Sequence, residues 1–345
     1  MNPFTRPLVL QVLLLGLAGA PPVAFAAPGR PPDKRLRHYV FFGRERERIS
    51  ERSFLDTPAF EGAQVKYAWR QLEHGEGEYD FGDIEHDLTF LNSRGKRLFI
   101  QLQDISYDDS IVPLPRYLLN NPAYHGGADR QYSVQGDDEG HATPAGWVAR
   151  RWDPAVQERF QKLLVALGRQ FDGRIEGINL AETAIDFGQS GRLYPAGFTP
   201  DNYRDAVIGN MRVLKRAFPK SVAMLYANFM FDAKPGAEPG SHLRDLYREA
   251  KELKVSMGGP DLKPYRPGQM SNSYPLLREI AGDVPTGIAV QDGNYDLPNP
   301  KTGKPVTLEQ LMAFAQDYLH VDYVFWCTEE PFYSRDLIPS LRGPK

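Results

Sequence analysis

Cysteine is almost absent from this chain. Cys327 is the only one among 345 residues, so no disulfide can staple the fold from within, and the lone thiol reads as a small buried packing group that faces away from any site. An excess of one charge is also missing. Lys and Arg number 41 against 44 Asp and Glu, a net of −3, which leaves no basic footprint for nucleic acid. The 31 Gly and 29 Pro follow no period, which excludes collagen-like and low-complexity chains. No GxGxxG, Walker, GxSxG or HExxH pattern occurs, and the seven histidines show no ligand spacing. A nucleotide cofactor, a serine triad and a catalytic metal are therefore not expected, and no other cofactor is called for.

Long apolar runs are equally scarce. The one that stands out, Leu8 to Ala20, is broken only by Gln11, follows Arg6 and precedes Ala24-Phe25-Ala26. Its 13 residues fall short of the ~20 that span a bilayer. Residues 1–26 read as a secretory signal peptide cleaved before Ala27. The expectation is an exported protein, periplasmic or secreted, with no membrane contact after cleavage and residues 27–345 forming one domain.

What is present is an alternation. Short, β-rich apolar runs occupy His38–Gly43, Gln64–Trp69, Lys96–Gln103, Ile175–Glu182, Ser221–Asn228, Lys254–Gly258, Thr286–Asp292 and Val321–Cys327, as expected of parallel strands covered on both faces. Helical stripes lie between them. Asp153-Pro154, Thr199-Pro200 and the Thr307/Gln310 pair mark helix starts, Asp80 can cap another, and Gly95 and Gly173 mark exits. Eight such units predict a (β/α)8 TIM barrel. The connection from Asp104 to Trp152 is oversized and holds six Tyr and Trp residues, so it is expected to line a binding cleft. The alternating run Arg44 to Arg48 reads as a solvated helix face.

Barrel chemistry sits at the C-terminal strand ends. Those ends offer Trp69, Gln103, Asp104, Asn179, Glu182, Tyr226, Asn228, Asp261, Gln291, Asp292, Trp326 and Glu330. Amides and carboxylates bond hydroxyls and aromatic faces stack on sugar rings, so the set suits a carbohydrate. Glycoside hydrolysis needs two carboxyl groups. Glu182 follows a wholly apolar strand, and desolvation would raise its pKa and suit it to the acid role.

The segment Gly62-Ala63-Gln64-Val65-Lys66-Tyr67-Ala68-Trp69, then Leu72-Glu73 and Gly77-Glu78-Tyr79-Asp80-Phe81, resembles strand two and its following turn in the clan A glycoside hydrolases. The resemblance implies a TIM barrel with a retaining mechanism. It maps an acid/base onto Glu182 and an aromatic platform onto Trp326. Two positions depart from it. Ala181 stands where the clan has Asn, and Gln291-Asp292 stand where its nucleophilic Glu would end strand seven. The second carboxylate is thus Asp292 or Glu330. Strand alternation groups Glu330 with Trp326, and either retention or inversion stays open. Two functions follow from the residues: hydrolysis of an oligo- or polysaccharide, or a carbohydrate-binding barrel without catalysis.

Overall fold

Eight strands close into a barrel in the computed structural model, which describes residues 35–134, 138–188, 190–232 and 240–342. They are β1 (Arg37–Gly43), β2 (Phe60–Ala68), β3 (Arg97–Gln103), β4 (Gly177–Leu180), β5 (Val222–Tyr226), β6 (Ser256–Gly259), β7 (Thr286–Val290) and β8 (Tyr323–Cys327). Neighbours pair in parallel in chain order, and β1 closes the ring against both β2 and β8. This is the (β/α)8 architecture expected from the alternation. β2 starts at Phe60, earlier than its apolar run suggests, because Glu61 sits in the strand and pairs with Arg35 and Arg37 at 2.9 and 2.7 Å. The expected signal peptide, residues 1–26, lies outside the described residues. Among the described residues, no helix is long and apolar enough to cross a membrane.

The helices start where their caps predict. In α1 (Pro154–Phe171), Asp153 accepts from the Ala155 and Val156 N–H groups, and in α2 (Pro200–Ala217) Thr199 accepts from Asn202. Thr307 and Gln310 form their reciprocal box. Each such cap is worth about 1 kcal/mol. Asp80 bonds the Gly82 N–H at 2.9 Å, although the helix Gly82–Asn92 begins one residue after Phe81.

The barrel interior is layered. At its base Arg37 pairs with Glu61 and Glu176, and Tyr323 donates to Glu176 at 2.7 Å, so each charge there has a partner. Above lie Tyr39, Phe99, Tyr323 and Phe325, with Phe99 and Phe325 edge to face at 4.9 Å. These rings need space from other strands. A Cβ on Gly177 would stand 2.7 Å from the Phe99 ring, closer than carbon atoms approach. Higher still, Gln64 donates to Asn179 at 2.9 Å and to the Tyr226 hydroxyl at 2.8 Å.

These contacts set the phase of every strand. Gln64 faces inward on β2, so Lys66 and Ala68 do too, while Tyr67 points out to Asp87 at 2.7 Å. Phe325 faces inward on β8, so Cys327 does too. Trp326 therefore points outward, where its Nε1 donates to His38 at 3.0 Å. This reverses the expected orientation of strand eight. The oversized connection is also more than a loop. Ile105–Ser106, Thr143–Ala149 and Ala128–Ser133 form a three-stranded antiparallel sheet.

Candidate active site

At the C-terminal ends of the strands lies a cavity of about 440 Å³, within the ~300–1,000 Å³ common for small-molecule sites. Its wall includes Gln101 and Gln103 from β3, Ala181 and Glu182 after β4, Gln291 after β7, Lys66 from β2 and Arg44 after β1. The start of the long connection, Ile105 to Asp108, completes it. A larger groove of about 770 Å³ runs along the outer flank beside α1 and α2 and contains none of these strand-end residues.

Glu182 is held from several sides. Asn228 Nδ2 donates to Glu182 Oε2 at 2.6 Å. The amide is oriented because its Oδ1 accepts from the N–H groups of Ala184 and Phe229 at 3.1 and 3.0 Å. From behind, Arg151 Nη1 donates to the Glu182 carbonyl oxygen at 3.0 Å. Burial pushes the Glu182 carboxyl up to about 7. The Asn228 bond opposes that rise, the Asp261 carboxylate adds to it, and the Tyr107 hydroxyl and Lys66 ammonium pull it back. Tyr107 is exposed, and its hydroxyl donates to the Ala184 carbonyl at 2.8 Å. The result is a carboxyl that holds its proton near neutral pH and can give it away.

On the opposite side of the mouth, ligand atoms of Asp292, Cys327 and Glu329 lie within 4.8 Å of one another. Glu329 accepts from the Gly293 N–H at 2.9 Å, which ties the ends of β7 and β8 together. Burial, with a further push from Asp292, holds the Cys327 thiol up at about 12 despite a backbone bond from Glu329, so it stays protonated. Lys66 feels both sides, since Glu182 and Asp292 each favour its charge.

No family model and no curated protein matches the sequence. Solved structures do match the fold. The chain is similar to the catalytic domain of β-amylase from Paenibacillus polymyxa, at TM-score 0.55 and 10% identity over 85% of this chain and 92% of that one. It is also similar to a mutant xylanase A from P. fluorescens subsp. cellulosa in complex with xylopentaose, at TM-score 0.50 and 11% identity over 85% and 86% of the two chains. The fold shared with these structures is the (β/α)8 barrel. At such identities the likeness is one of fold, and the residues must carry the chemistry.

Within this barrel the residues singled out by sequence divide into two groups. Glu182, Gln103, Gln291 and Asn228 meet at or against the cavity, and Asp292 stands exposed at its rim. Asp261 lies close enough to act on Glu182 while bonded to Lys263 and Asn294 at 2.9 and 3.2 Å. Asn179 and Tyr226 sit one layer lower, spent on Gln64. The others are elsewhere. Trp69 is buried outside the barrel against Phe160, with its Nε1 on Glu73 at 2.7 Å. Trp326 is buried on the same outer side. Asp104 forms a buried two-pronged pair with Arg151 at 2.7 and 2.6 Å. β8 ends at Cys327, and Glu330 is exposed, accepting from the Ser334 hydroxyl at 2.5 Å as a local turn. Cys327, expected to face away, faces the mouth. Of the six loop aromatics only Tyr107 borders the cavity; Tyr117 bonds Glu73 at 3.0 Å and Trp152 packs on Phe198 at 5.0 Å.

Lys66, Arg44, Gln101 and Glu329, at the cavity or its rim, are not among the residues expected from sequence. Lys66 was legible, since a Lys two places from a Gln within an otherwise apolar strand belongs to its inward face. Arg44 belongs to the run expected to be a solvated helix face. In fact the run divides, with Arg44 at the cavity, Arg46 paired with Asp87 at 2.9 Å and Arg48 donating to Thr328 at 2.6 Å. Glu329, not the expected Glu330, stands at the mouth because β8 has the opposite phase to the one expected.

Proposed function

We propose that this protein hydrolyses glycosidic bonds of an oligo- or polysaccharide. The observation that carries the reading is the desolvated Glu182 carboxyl, raised to about 7 and aimed by Asn228 into a strand-end cleft. Glu182 donates its proton to the glycosidic oxygen as the bond to the anomeric carbon breaks. Asp292, with Glu329 beside it, faces the positive charge that develops on the sugar and either attacks the anomeric carbon or takes a proton from water. Gln103, Gln291 and Gln101 offer amide groups to sugar hydroxyls; the Gln101 Oε1 is buried and has no partner among the described residues. The chain would meet this glycan as an exported protein, periplasmic or secreted.

A second reading has its own support. The cavity wall at the end of β7 is Gln291, which cannot ionise and which donates one Nε2 hydrogen to the Pro260 carbonyl at 2.8 Å, and Asp292 is exposed. A barrel of this kind could bind glycans without cleaving them. Reducing ends released from a panel of bacterial exopolysaccharides and plant glycans separate the two. Hydrolysis is expected from the wild-type chain and its loss from Glu182→Gln. Turnover that survives the substitution removes Glu182 from the acid role. Binding without any release by the wild-type chain favours the second reading.

A further inference from the structure

At the base of the barrel Arg37 is matched with carboxylates, and at the mouth Arg151 and Lys263 are too, but two cations beside the cavity are not. Among the described residues, neither Lys66 nor Arg44 makes an ion pair, although both border the cavity. The Lys66 ammonium stands over the Phe41 ring, 4.9 Å from its centroid. The carboxylates around the cavity act on these cations without pairing with them: Arg44 favours the charge of Asp108, and Glu182 and Asp292 favour that of Lys66. Asp108 Oδ1 is taken by the N–H and hydroxyl of Ser110 at 2.9 and 2.6 Å. Glu182 is bonded to Asn228, and burial raises its carboxyl to about 7, so it is only partly ionised near neutrality.

We propose that the cleft receives an acidic sugar, a uronic acid residue, with its carboxylate held between Arg44 and Lys66. A desolvated ammonium costs free energy unless an anion accompanies it. Here burial and then Arg44 push Lys66 down to about 8, against the pull of Glu182 and Asp292. An anion set between the two cations relieves the desolvation and the mutual repulsion together. Gly43, in the left-handed region at φ 58°, turns the chain at the end of β1 where Arg44 reaches the wall. A planar carboxylate suits the guanidinium fork and the point charge of a Lys. The neutral amides of Gln101, Gln103 and Gln291 remain for the hydroxyls.

The inference deepens the glycosidase reading by naming its substrate class, and it rests on that reading only for the ligand being a sugar. Its test is therefore binding. Calorimetric titration of the full chain with galacturonate, glucuronate, mannuronate and guluronate is compared with the matching neutral hexoses and a sulfated hexose. At least one uronate is expected to bind roughly ten- to a hundred-fold tighter than its neutral partner. That preference should weaken with added salt and vanish in Lys66→Met and Arg44→Met. Equal binding of acid and neutral sugars, no binding of any uronate, or a preference that survives both substitutions overturns the proposal. Stronger binding of the sulfated sugar than of every uronate overturns the carboxylate assignment. Uronate binding without hydrolysis would count against the hydrolase and leave this inference standing; hydrolysis of neutral glycans without acid preference would do the reverse.

Discussion

Replacing Glu182 by Gln should stabilise the protein, and the gain should depend on pH in a defined way. The folded state raises this carboxyl from its ordinary 4.5 to about 7. Between those two values the folded chain binds the proton more tightly than the unfolded chain, so stability falls as pH rises through the window. Below about 4.5 both states are protonated and nothing is lost. Above about 7 both are ionised and the full penalty applies. At ~1.36 kcal/mol per pH unit the penalty reaches roughly 3 kcal/mol. Glutamine keeps the shape and still accepts from Asn228, yet never ionises. Glu182→Gln should therefore match the wild type near pH 4 and exceed it above pH 7 by up to ~3 kcal/mol, or about 5 °C in melting temperature. Denaturant unfolding of both proteins at a series of pH values measures the difference directly and needs no substrate. A difference that stays flat across that range would mean that Glu182 is not a desolvated acid, and the argument for its catalytic role would go with it.

Two further perturbations separate chemistry from scaffolding. Asn228→Ala removes the donor that eases Glu182 ionisation, so the alkaline limb of turnover should move upward by up to ~1 pH unit; a pH–rate profile with an unmoved or lowered limb contradicts the assignment. Arg151→Met leaves Asp104 buried without its partner and should cost ~3–5 kcal/mol in unfolding free energy. A loss under about 1 kcal/mol would show that Asp104 reaches solvent and is free to contact ligand.

The alternation of eight apolar runs was enough to reveal the barrel, because a strand covered on both faces has to be apolar throughout. The same property hides its phase. Tyr323-Val324-Phe325-Trp326-Cys327 has no polar residue to mark the inward side, so period two leaves two answers, and a large Trp is as acceptable beneath helices as over a sugar. What decides is packing across the barrel. Phe325 fits inward because β4 and β7 supply glycine opposite the aromatic layer, a fact spread over strands more than a hundred residues apart. β2 is different. Gln64 and Lys66 stand two apart in an apolar run, and neither amide nor ammonium can face the packed helices without a partner. Their side is fixed locally, and it puts Trp69, an odd number of positions from both Gln64 and Lys66, on the outside. The site was thus legible where a strand carries polar residues into its interior and illegible where it does not. The correction on β8 follows from that difference, and it exchanges Trp326 and Glu330 for Cys327 and Glu329 at the mouth.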